Sequence, residues 1–264
     1  MRALSLLVLL LAAAVARAAP PDSVFLEDLT STEVRAATQS GKTTILIPIG
    51  GTEQSGPHIA LGKHDARARW FAEAIARKLG NALVAPVIAY VPEGAIDPPT
   101  GHMRFAGTIT IPVEAFEKTL ESAARSFRLH GFKDIVFLGD HGGYRKSLAR
   151  VAARLDKEWA HTSVRVHALP EYYEAQTRGF AQILRRKGYS ERQIGVHAGL
   201  ADTSLTLAID PALVRTDRLD EAAEGKANGV HGDPRESSAA LGRVGVDLVV
   251  ETAVAAIRKA AARR

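Results

Sequence analysis

Short apolar runs alternate along this chain with stretches whose apolar residues return every three or four positions. Thr44–Ile49 (TILIPI), Ala82–Val91 (ALVAPVIAYV), Thr108–Ile111, Ile135–Leu138 (IVFL) and Val164–Leu169 read as strands. Asp65–Leu79 carries Trp70, Phe71, Ala74 and Ile75 on one helical face. Further helices are predicted from Pro112 to about Leu129, from about Tyr144 to Trp159, from about Glu171 to Lys187, through TSLTLAI, and from about Val246 to Ala261. Strand–helix alternation with short links predicts a three-layer α/β/α fold around a mostly parallel sheet. Residues 215–245 are polar and glycine-rich and are expected to form an ordered surface excursion.

The first residues change the compartment. MRALSLLVLLLAAAVARAAPP combines an early arginine, an apolar run over Ala3–Val15 and an Ala16-Arg17-Ala18 cleavage signature. Residues 1–18 are therefore expected to be a secretory signal peptide, and 19–264 one α/β domain working in the periplasm without a membrane anchor. The chain has no cysteine, so disulfides are excluded and metal ligands must come from His, Asp or Glu. Net charge is +5, and removing Arg2 and Arg17 leaves +3 on side chains. The basic residues are scattered, with no basic stripe interleaved with aromatics, which argues against a nucleic-acid partner. No strand is followed by G-x-G-x-x-G, which argues against a dinucleotide cofactor.

In open parallel sheets ligands bind beyond the carboxyl ends of the strands, and the chemically suggestive residues fall there. Gly50–Asp65 (GGTEQSGPHIALGKHD) follows the first strand and holds Glu53, His58, His64 and Asp65. Gly139-Asp140-His141-Gly142-Gly143 follows the IVFL strand; its alternative reading is a tight turn with Asp140 as helix cap. His197-Ala198-Gly199-Leu200-Ala201-Asp202-Thr203-Ser204 offers a histidine and a carboxylate, although Asp202 or Ser204 could equally cap a helix. Carboxylates and imidazoles together are natural ligands for zinc, manganese or iron.

These loops, in this order, resemble the creatininase (creatinine amidohydrolase) family. The motifs that carry the resemblance are GGTEQSGPHIALGKH, RFAGTIT at 104–110 preceded by His102, LGDHGGY, HAGLADTS and GDPR at 232–235, spanning about Thr44 to Arg243. The resemblance implies one or two divalent metals per chain and hydrolysis of a non-peptide C–N bond in a small cyclic or formyl amide. It places Glu53 and His141 at family ligand positions. It also implies His197 beside the substrate as general acid, with His58 as a further catalytic or orienting histidine. Ser55, His102, Asp140 and Tyr144 would line the pocket. A hexameric assembly is a further expectation.

The sequence departs from the family pattern at key points. Ser55 replaces a ligating histidine, His64 falls on a bridging aspartate with Asp65 one residue later, and Asp202 is a shortened carboxylate. Two arrangements remain open: a one-metal site of Glu53, His64, His141 and Asp202, or a two-metal site restored by Asp65. Two functions also remain open: a small-amide hydrolase, or a catalytically degenerate extracytoplasmic protein that binds a small ligand or metal.

Overall fold

The computed structural model describes residues 22–262, so the expected signal peptide lies outside the described residues. In chain order the helices are α1 (Ser31–Gln39), α2 (Lys63–Leu79), α3 (Val113–Leu129), α4 (Arg145–Glu158), α5 (Pro170–Glu174), α6 (Phe180–Arg186), α7 (Glu191–Ile194), α8 (Leu200–Ile209), α9 (Leu219–Ala223) and α10 (Ala239–Ala261). The strands are β1 (Thr44–Ile49), β2 (Ala82–Val84), β3 (Asp134–Gly139) and β4 (Arg165–Ala168). They form one parallel sheet in the order β2-β1-β3-β4, with Thr44 opposite Asp134 and Ile49 opposite Gly139.

Every residue of β1 and β3 is buried, which is why both read as continuous apolar runs. Side chains alternate between the two faces of the sheet. Leu46, Val136 and Leu138 pack on one side with Phe71 and Ile75 of α2, Phe180 of α6 and Val249 of α10. Ile45, Ile47, Ile135 and Phe137 pack on the other with Phe116 and Leu120 of α3 and Val151 and Leu155 of α4. This is the expected three-layer α/β/α arrangement. Gly242 lets α10 close onto α8, since a Cβ there would collide with the Ser204 carbonyl. Among the described residues no helix is long and apolar enough to cross a membrane.

Four expected elements are corrected. The second strand ends at Val84; beyond it Ile88 makes only an isolated bridge to Ile49, and Pro86 has no N–H for a ladder. Residues 108–111 form no strand, although the Ile109 and Ile111 amides donate to Thr52 and Val91 carbonyls. The helix expected over 171–187 is interrupted by a π-helical turn at Ala175–Gly179. The last helix begins at Ala239, seven residues before Val246, because the Ser238 hydroxyl accepts from the Leu241 amide and caps it. The segment before it is a surface excursion only in part. Ala222 and Val230 are buried, and the Gly229 carbonyl accepts from Gln54.

Candidate functional site

The loops after β1, β2 and β3 meet at one point, and Glu53 is its centre. The Glu53 carboxylate is fully buried. Its Oε2 lies 3.2 Å from His102 Nε2 and 3.4 Å from His141 Nε2. On the far side of the His141 ring, Nδ1 lies 3.2 Å from Glu93 Oε1. Glu93 can come this close because Gly51, at φ +141°, has no side chain; a Cβ there would sit 3.0 Å from Glu93 Oε1. One donor atom from each of Glu53, Glu93, His102 and His141 falls within 4.8 Å of the others. Glu53 Oε2, both Glu93 oxygens and His141 Nδ1 are buried with no hydrogen-bond partner among the described residues. Two imidazoles and two carboxylates with unsatisfied oxygens suit a divalent zinc, manganese or iron ion. Glu53, His102 and His141 line a cavity of about 510 Å³ that also takes in Lys63, His64, Arg67, His197 and Asp202.

A second set of charges lies against Glu53. His64 Nε2 is 2.7 Å from Glu53 Oε1, and His64 Nδ1 is 2.7 Å from Asp140 Oδ2. Carboxylates only accept, so both ring nitrogens carry protons and His64 is an imidazolium. Burial opposes that charge and so does Lys63, but Glu53 and Asp140 outweigh them and raise its pKa to about 9. Asp140 also accepts from the Tyr172 hydroxyl at 2.9 Å and faces Arg67 Nε at 3.3 Å. Although burial works the other way, Arg67 and His64 hold Asp140 below the usual carboxylate range. Asp202 accepts from both Lys63 and Arg67 and from the Ala198 amide at 2.9 Å. Its pKa is well below normal because those cations overcome its burial. Burial would likewise raise Glu53, but His64 and Lys63 lower it.

The His64 shift has a consequence for stability. An unfolded histidine titrates near 6.5, so the stabilisation from the folded imidazolium is complete below about pH 6.5 and lost as pH rises to about 9. Metal-free protein should lose stability across that window, by about 3 kcal/mol at most. His64→Gln should remove the slope. Urea denaturation at a series of pH values checks this; an equal slope in both proteins would refute it.

The other expected site residues are placed as follows. His197 Nε2 lies 3.0 Å from the Gln54 carbonyl oxygen, with Nδ1 3.7 Å from Glu53. Burial, reinforced by Lys63, lowers its pKa to about 3. His58 is buried with Nε2 3.0 Å from Thr203 Oγ1, and burial lowers its pKa to about 4. Asp65 accepts from the Gly51 amide at 2.9 Å, outside the converging donors. Ser55 is buried, and its hydroxyl has no hydrogen-bond partner among the described residues. The Tyr144 hydroxyl sits 2.7 Å from the Ile49 carbonyl oxygen and 2.8 Å from that of Gly50, and accepts from the His141 amide. It thereby ties the His141 loop to the end of β1.

Glu93, Lys63 and Arg67 were not singled out from the sequence. Glu93 had one available signal, its place in a Pro-Glu-Gly turn beyond the β2 run. Lys63 and Arg67 flank His64 at helical spacing, which exposes neither their burial nor their partners. Gln54 Nε2 lies 2.9 Å from His102 Nδ1 and 3.1 Å from the Gly229 carbonyl, steadying the His102 ring.

The family profile for creatinine amidohydrolase matches residues 27–257. The chain belongs to the creatininase family. A mycofactocin precursor peptide peptidase from Mycobacterium tuberculosis is 31% identical over 231 residues, covering 77% of this chain and 80% of that protein. Creatinine amidohydrolase from Pseudomonas putida is 27% identical over 202 residues, covering 75% and 76%. A solved creatininase matches with TM-score 0.75 at 22% identity, over 90% of this chain and 98% of that one, which supports the shared fold. Creatininases of this fold include a manganese form and a zinc–zinc form. Hydrolase activity is thus supported by the family and its relatives.

Proposed function

We propose that this creatininase-family protein is a metal-dependent hydrolase of a C–N bond in a small, non-peptide cyclic or formyl amide. The observation that carries the reading is the convergence of Glu53, Glu93, His102 and His141, with buried oxygens unpartnered among the described residues, beside a substrate-sized cavity lined by Glu53, His102 and His141. These four residues would hold the ion. When bound, it would supply Lewis acidity at the scissile carbonyl and a more acidic water. The chain's own residues do the rest. His64 holds a proton on Nε2, 2.7 Å from Glu53 Oε1, and is kept charged by Asp140. His197, neutral in its buried position, is suited to accept or donate a hydrogen bond. Lys63 and Arg67 fix Asp202 and leave it ionised beside the cavity. The leader, with its cleavage signature, supports action in the periplasm, and the family resemblance supports a homo-oligomer.

A second reading is a degenerate binding protein. It is favoured by the charges beside Glu53, where Lys63 and the His64 imidazolium already offer positive charge to the carboxylate. The test is metal analysis by mass spectrometry on untagged mature protein, with turnover measured on formyl and cyclic amides. The hydrolase reading expects about one ion per chain, retained in His64→Ala and Asp65→Ala, together with amide turnover. No bound ion after adding zinc, manganese or iron, and no turnover, would overturn it in favour of the binding protein.

A further inference from the structure

The π-helical turn Ala175–Gly179 between α5 and α6 forms part of the cavity wall. Turns of this kind are rare and recur at functional sites. This one carries Gln176, which is 3% exposed. The Gln176 Oε1 accepts from Arg67 Nη2. Arginine has only donors, so the amide atom facing Arg67 must be the oxygen, and the amide cannot turn over. Its NH₂ is thereby left as the free end. Gln176 Nε2 is buried, has no hydrogen-bond partner among the described residues, and belongs to a side chain that lines the cavity. A buried donor left without a partner is destabilising, so a ligand that accepts from it gains by doing so.

Cationic groups line the same cavity. Arg178, two residues on, also lines the cavity, and among the described residues no carboxylate pairs with it. Arg145, at the start of α4, lines the same wall, where its Nη2 donates to Glu174 Oε1 at 3.0 Å. Its guanidinium stands 5.0 Å from the Tyr173 ring centroid. The Tyr173 hydroxyl packs over Gly142, where a Cβ would approach it to 2.7 Å, so this wall adjoins the His141 loop directly. A side-chain chain from Glu53 through His64, Asp140 and Arg67 ends at Gln176. Glu53, His102 and His141 of the donor cluster and this donor-rich wall line the same cavity.

We propose that Gln176 Nε2 and Arg178, with Arg145 alongside, form a subsite for a carboxylate, so that the substrate is an amide bearing a carboxylate group. This rests on the hydrolase reading above and names its substrate class. An amide NH₂ and a guanidinium lining one cavity both offer N–H donors, and a carboxylate has two oxygens to accept them.

The test is calorimetric titration of the full, metal-loaded protein with N-acetylglycine and with its uncharged counterpart N-acetylglycinamide. N-acetylglycine is expected to bind about tenfold tighter or more. Gln176→Glu and Arg178→Glu are each expected to remove that preference while the affinity for N-acetylglycinamide stays the same. Arg178 is exposed, so its variant does not put folding at risk. Equal affinity for the two probes would overturn the subsite. So would an undiminished preference in both variants, which would place the carboxylate at the Glu53–His141 cluster instead. Inorganic phosphate displacing N-acetylglycine at equal concentration would reassign the subsite to phosphoryl groups and overturn the carboxylate. The titration needs no turnover. Binding that depends on Gln176 without hydrolysis of any amide would sink the hydrolase reading alone. Hydrolysis of a carboxylate-bearing amide unaffected by Gln176→Glu would sink the subsite alone.

Discussion

His141→Ala is expected to lose the bound ion and to lower amide turnover by about 10³-fold or more, with cooperative unfolding retained. The magnitude follows from the several kcal/mol that a Lewis acid contributes to a developing oxyanion, at one factor of ten per 1.36 kcal/mol. His141 stands between two carboxylates, with Nε2 3.4 Å from Glu53 and Nδ1 3.2 Å from Glu93. It is the residue that joins the loop after β1 to the loop after β2, so its removal separates the donors rather than weakening one of them. The fold should survive because the side chain is partly exposed and belongs to neither hydrophobic cluster. Circular dichroism on the same samples separates loss of the site from loss of the fold. Turnover within tenfold of the parent, with the ion retained, would place the active centre elsewhere.

Lys63→Met should be the most destabilising single change at the site, by about 3–5 kcal/mol in urea denaturation near neutral pH. Lys63 is completely buried, and its ammonium pairs with Asp202 and lies 3.7 Å from Glu53 Oε1. Methionine fills a similar volume, so little of the loss comes from a cavity. The loss comes from leaving two carboxylates in a buried place with one cation fewer. Adding Asp202→Asn to Lys63→Met should recover part of it, because the removed cation then has one anion less to answer. A double variant as unstable as the sum of the two single variants would show that the pair is not coupled. A single-variant loss under about 1 kcal/mol would mean that Lys63 contributes no more than an exposed ion pair.

Much of the framework was legible in the chain itself. β1 was read with its observed bounds, and β3 and the helices α2, α3 and α4 to within a residue or two. Each is long, strongly patterned and packed by the face that its pattern defines. The site loops were legible as well, because a parallel sheet presents the carboxyl ends of its strands together. That brought Glu53, His102, His141, His197 and Asp202 into one neighbourhood. Where local pattern and tertiary pairing diverged, the reading failed. Ala82–Val91 has strand composition throughout, yet only three residues find a ladder, and 108–111 finds none.

By itself, then, the sequence determined the layered α/β fold, the absence of thiol ligands, the family resemblance, and the loops in which the chemistry would lie. Tertiary structure alone decided how the charges are shared. Asp202 could have faced an ion, but it is separated by 139 residues from Lys63, which claims it. Glu93 sits in an unremarkable turn until Gly51 lets it reach His141. Gln176 became a candidate contact only through a π-helical turn and an arginine 109 residues away. Hydrophobic periodicity is written in neighbouring residues, so it can be read locally. The partner of a buried charge is set by which segments the sheet brings together, and no local pattern carries that information.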